Sequence, residues 1–268
     1  MAKYKKKRAR ELQHDRFRDT TMTLVDRVGN RLEGRGRTIL YALGGIVLAG
    51  IVILLFLRWS GRKSDEARQA LGRAIDIATS PVSEAADTTT GTVFSTEEQR
   101  AQRAIEEFQK VADKYGDPYH SEARYFIATN KLVIDRGKGI ADLAELANSK
   151  VPEVAALAKF ALAQTKESDG KLDEAAQLYS ALASANNPAV TPDTANLRLA
   201  KVYEKQGKKK EAADVLFNIV DASRKAKGPD NQPVRASAAA REAATRLQDL
   251  DPARYAQLPP EAPFGLAG

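Results

Sequence analysis

The sequence contains no cysteine, which excludes a disulfide framework, a thiol nucleophile and thiolate metal ligands. Histidine occurs only as His14 and His120. A long apolar stretch separates the two, so no His-based dyad or metal site is expected. The phosphate-cradling patterns GxGxxG and GxxxxGKS/T are both missing. Aromatic residues make up 6% of the chain, and that scarcity, with abundant alanine, suits closely packed helices better than a β-sandwich. No stretch alternates with period 2, so no sheet is expected. Carboxylate pairs such as Glu97/Glu98, Glu106/Glu107 and Asp173/Glu174 fall at helix starts or on solvated faces. A capping or helix-dipole role suits them better than acid–base catalysis. The expectation is a protein without catalytic activity and without a cofactor.

One long hydrophobic run organises the rest. Ile39 to Leu57 reads ILYALGGIVLAGIVILLFL, without a charged residue. As a helix it would extend about 28 Å, close to the hydrocarbon core of a bilayer. Arg37 and Arg58 bracket the run, and Tyr41 and Trp59 stand where aromatic rings favour the headgroup level. A transmembrane helix is expected over 38–59. Within it Ala42, Gly45 and Ala49 recur at i, i+3 and i+7, a stripe of small residues that lets another helix approach.

Orientation follows from the flanks. Residues 1–37 hold twelve Lys/Arg, against five in residues 58–77. This excess keeps the N-terminus cytoplasmic and sends the C-terminal part across the membrane. The cluster KYKKKRAR at 3–10 has almost nothing apolar to bury. Behind it, Leu24, Val25, Val28 and Leu32 form one apolar face beside Arg27 and Arg31. That pattern fits either a short cytoplasmic helix or one lying on anionic lipid headgroups. Nucleic acid is not an expected partner, because aromatic residues hardly interleave with the basic ones and orientation accounts for the charge.

Beyond the span, helices are expected at 64–79, from a Ser95–Glu98 capping box to Tyr115, and then at about 119–135, 139–148, 152–168, 172–185, 192–206, 209–225 and 234–249. Residues 80–96 read as a long loop. Asp251-Pro252 closes the last helix, and 251–268 reads as a Pro-rich flexible tail. The helical domain is 60–250.

Setting Gly170 on Gly207 exposes an internal repeat with an offset of 37 residues. Ala163 falls on Ala200, Ala175 on Ala212, Ala176 on Ala213 and Tyr179 on Leu216. This resembles the tetratricopeptide repeat, with its small residue in helix A, its turn glycine, and its alanine and aromatic in helix B. Earlier units are more degenerate: Ala104 and Phe108 resemble a helix B whose partner is the helix at 65–79. Another pair, 123–135 with 140–147, has a shortened second helix. The resemblance implies an all-α chain, one transmembrane helix followed by an α-solenoid of helix pairs. It also implies a groove lined by helix-A residues: counting back from the glycines makes these Phe160, Gln164, Leu197 and Lys201, and setting Ala128 as the small helix-A residue of the degenerate unit adds Tyr125. Phe160 and Leu197 could equally pack between helices.

A basic tail, one span and degenerate repeats together resemble the ancillary subunit of the bacterial Sec translocon. The segment from Tyr119 to Ala128, with Leu132 to Asp135 after it, resembles the first well-formed helix A of that family, and the likeness covers roughly 38–225. It implies a single-pass inner-membrane protein with a periplasmic domain that binds other proteins, among them the translocon and periplasmic chaperones. The strongly basic tail, the 80–96 insertion and the Pro-rich C-terminus depart from it. A repeat subunit of another envelope complex is the alternative.

Overall fold

The computed structural model describes residues 63–83 and 93–261. The expected transmembrane helix lies outside these residues, and so do the basic tail, Arg37, Tyr41, Arg58, Trp59 and the Ala42/Gly45/Ala49 stripe. No helix among the described residues is long and apolar enough to cross a membrane. From Glu66 onward the described helices form one compact unit, the helical array.

The described elements are α1 (63–78), α2 (Glu97–Lys114), α3 (Tyr119–Ile134), α4 (Arg136–Leu146), α5 (Pro152–Ser168), α6 (Leu172–Ser184), α7 (Pro192–Lys205), α8 (Lys209–Lys225), α9 (Ala238–Leu250) and the single turn α10 (Pro252–Tyr255). Among the described residues there are helices and isolated bridges but no strand. Each helix packs on its chain neighbour, and α3–α5 and α7–α9 also touch. This is the layout of an α-solenoid of tetratricopeptide-like pairs: α1–α2, α3–α4, α5–α6 and α7–α8, with α9 opening a fifth.

Small residues set the spacing of the stack. In the second helix of each pair a small residue precedes a large one by four positions: Ala104/Phe108, Gly139/Leu143, Ala175/Tyr179 and Ala212/Leu216. The four large side chains are wholly buried, as are the three alanines. Successive units are thus 35, 36 and 37 residues apart. The sequence reading found the second pair, 123–135 with 140–147, but not its small–large spacing, because glycine replaces alanine. Here α4 comes so close to α3 that a Cβ on Gly139 would stand 2.7 Å from the Leu132 nitrogen.

Turns and caps account for the helix boundaries. Gly170 and Gly207 have φ of 73° and 75°, the left-handed region that ends a helix cheaply only with glycine. After each, the next N–H folds back on the helix, from Lys171 to the Lys166 carbonyl and from Lys208 to the Tyr203 carbonyl, at 2.9 Å in both. The cap of α2 is Thr96 rather than Ser95: its hydroxyl accepts the Gln99 N–H, which draws the helix start one residue on. Asp135 caps α4 three residues earlier than expected, and Ser237 caps α9 four residues later. The 80–96 loop has fixed feet, since Ser83 N–H donates to Phe94 O (2.9 Å) and Phe94 N–H to Pro81 O (3.2 Å).

The Pro-rich tail needs a larger correction. Asp251 caps α10, the Arg224 guanidinium donates to Pro259 O at 2.5 Å, and Leu258 is buried in the last core with Leu216, Ala243 and Leu247. Residues 252–260 therefore strap the end of the array, and 262–268 lie outside the described residues.

Candidate interaction face

The first helices of three consecutive pairs, α5, α7 and α9, present one face together. On α7, Arg198, Lys201 and Lys205 recur at i, i+3 and i+7, so their side chains share a stripe. Lys205 Nζ reaches Glu167 Oε1 of α5 at 2.5 Å, and Lys201 Nζ reaches Glu242 Oε1 of α9 at 2.6 Å. Arg246 of α9 reaches back to Glu204 of α7 and also holds Glu242, both at 3.1 Å. Each first helix is thereby joined to the next by ion pairs over an open hollow of about 430 Å³. Arg198, Lys201, Lys205 and Arg246 line that hollow with Glu167 and Glu204.

The cations act on the protonation of Glu242. Hydrogen bonds from Lys201 and then Arg246 hold the Glu242 carboxyl below its ordinary range. Glu167 also accepts a hydrogen bond from the Tyr179 hydroxyl at 3.1 Å. Burial first, and then the Glu167 charge, push that phenol well above its ordinary value. One carboxylate thus links the α5–α6 core to the surface stripe.

The groove residues expected from sequence are not all brought together. Lys201 and Gln164 lie on the face, Gln164 exposed and Lys201 half-buried in its ion pair. Phe160 is half-buried at its edge. Its ring meets Tyr179 edge-on with centroids 5.7 Å apart, and the Arg198 guanidinium lies 6.0 Å from its centroid. Leu197 does not reach the face. It is 7% exposed and packs with Leu216 and Ala240, because α7 is covered by α8 and α9 on that side. Tyr125 packs half-buried against the core of α3, α4 and α5, edge-on to Phe126 at 5.4 Å, and burial raises its phenol.

The expected stripe of aromatic and aliphatic residues is therefore a stripe of charge with one aromatic at its margin. Glu167, Arg198, Glu204, Lys205, Glu242 and Arg246 were missed, although the i, i+3, i+7 spacing of the α7 cations was legible. Among the described residues no group of three His, Cys, Asp or Glu side chains gathers in a metal-holding cluster. His120 sits between α2 and α3 with Nδ1 2.8 Å from Ala112 O.

The fold and this face define a class, that of helix-pair repeat arrays with an open polar surface on the first helices. One solved structure similar to the chain holds nearly identical TPR-like repeats of a Podosopora anserina protein assigned as a kinesin light chain. It is 14% identical, covers 72% of this chain and 88% of that one, and superposes with a TM-score of 0.45. No family model matches the chain, and no curated protein does.

Proposed function

We propose that the protein is a membrane-anchored, non-catalytic scaffold for other proteins, ancillary to protein translocation and to periplasmic chaperones. In this reading residues 38–59 anchor it in the bacterial inner membrane, 1–37 stay in the cytoplasm near anionic headgroups, and the helical array stands in the periplasm. The uncharged run from Ile39 to Leu57 and the Lys/Arg excess before it support the anchor and its direction. The observation that carries the scaffold role is the face on α5, α7 and α9, where charged side chains are held in place by their neighbours around an open hollow. Preorganised polar groups lose little freedom when a partner binds, which favours a protein surface over a merely solvated one. The family resemblance of the sequence supports the translocon as the site of action.

The test is a photo-crosslinking residue in place of Gln164, in full-length protein in its own membrane. Translocon subunits or a periplasmic chaperone should be trapped. Lys201→Glu, which sets two carboxylates against each other, should reduce trapping several-fold while helicity is kept. Capture that survives Lys201→Glu combined with Gln164→Ala would place binding elsewhere on the molecule.

A further inference from the structure

The end of the array carries a second site, distinct from the face on α5, α7 and α9. Among the described residues only the single turn α10 and the strap 252–260 follow α9, and they cover part of its outer side. Between α8, α9, the 226–237 loop and the strap lies a pocket of about 260 Å³. Val220, Val234, Ala240, Ala244 and Tyr255 supply its apolar walls. Val234 is 46% exposed, one of three large hydrophobic residues so open among the described residues. The strap is itself anchored: Arg224 donates to Pro259 O (2.5 Å) and to the Tyr255 hydroxyl (3.2 Å), so the walls are in place before anything binds.

Charge at the rim is mainly positive. Arg224 and Arg241 line the pocket, Arg235 sits in the loop between two lining residues, and Lys227 pairs through its backbone with the lining residue Pro233. Arg241 donates to Ala236 O at 3.1 Å, and none of these four cations forms an ion pair among the described residues. Glu261 is the one carboxylate in the lining, among the described residues. The contrast with the face on α5, α7 and α9 is direct, since there Lys201, Lys205 and Arg246 each pair with a glutamate.

We propose that this pocket takes one aliphatic or aromatic side chain from an acidic peptide segment of a partner protein. The apolar walls hold the anchor, and Arg224, Arg235, Arg241 and Lys227 receive carboxylates on either side of it. The volume is near that of one large side chain, so the motif is a single anchor between acids. Desolvated apolar anchors give affinity, and the surrounding charge gives approach rate and choice of partner.

The test pans a random peptide library displayed on phage against full-length protein in detergent. The enriched peptides should share one large apolar residue flanked by Asp or Glu, and a synthetic copy should bind more weakly as salt is raised. Ala244→Trp fills the pocket and Arg241→Glu reverses its rim; each should weaken that copy at least tenfold. Val234→Glu, on the exposed loop, is the variant least able to disturb folding and should do the same with melting unchanged. Enrichment of basic or uncharged peptides, or binding indifferent to all three variants, would overturn the proposal. So would self-association of the chain that Ala244→Trp abolishes, which would give the pocket to a second copy. Binding that emerges only when the chain is cut after Glu261 would assign the pocket to the chain's own end.

Discussion

Gly137 and Gly139 stand two positions apart in α4 and should respond to alanine in opposite directions. At Gly137 an added Cβ meets only the Asp135 carboxylate, at 3.5 Å, which is ordinary contact. Gly137→Ala should stabilise by about 0.5–1 kcal/mol, because alanine leaves the unfolded chain less freedom to lose. At Gly139 the same Cβ would stand 2.7 Å from backbone nitrogen of Leu132 and 3.0 Å from the Ala128 carbonyl. Gly139→Ala must push α4 off α3 and should cost about 1–3 kcal/mol. Thermal melts of the two variants check the pair, and equal effects would mean that α4 can shift freely. Ala212 presents the related case, wholly buried where α8 crosses its neighbours. Ala212→Leu should cost about 1–3 kcal/mol in the same melts. At this scale alanine spacing was legible in the sequence, because a buried small residue repeats in register. The glycine that fills the same place in α4 was not, since glycine in a sequence more often marks a turn than a close approach.

Within the elements, the link between the α5–α6 pair and α7 runs through Glu167, which takes both the Tyr179 hydroxyl and the Lys205 ammonium. Tyr179→Phe should cost about 0.5–1.5 kcal/mol, the ordinary worth of one such hydrogen bond. A pH dependence follows as well. The folded phenol titrates above its unfolded value of about 10, so this contribution is complete below about pH 10 and is lost as pH rises beyond it. Denaturant titrations from pH 8 to 11 should show a decline that Tyr179→Phe flattens; identical slopes would mean that the hydroxyl plays no part. Element identity was legible from the apolar spacing of each helix. Boundaries were less so, because caps compete locally: Ser95 and Thr96 both had the chemistry, and the backbone chose Thr96. Leu197 shows the other limit. Counting from a turn glycine fixes a residue's place along α7, but which neighbour covers it depends on α8 and α9, which pack from outside that window.

At the scale of the whole molecule, the order of helix pairs was readable because each pair repeats its neighbour's pattern, and that pattern needs no long-range information. The strap was not readable. Its prolines signal an ending, and only the burial of Leu258 and the Arg224–Pro259 bond reveal that the ending packs. Orientation is checked by adding protease to intact spheroplasts, which should digest the chain beyond Ser60 and spare 1–37; digestion of the basic tail alone would reverse the topology. The nearest-neighbour stacking has a mechanical consequence. Pulled from its two ends, the array has, among the described residues, no contact spanning its length to share the load. Force applied at the C-terminal end should first tear away the strap, then α9, and then the array one pair at a time. Each of the three later pairs, repeating at 35 to 37 residues, would release roughly 120 Å of chain. Optical-trap traces should show that staircase, and a single rip over the full length would mean that the pairs share load after all. An array built this way would yield gradually under load, one pair after another, as a compliant spring rather than a rigid rod.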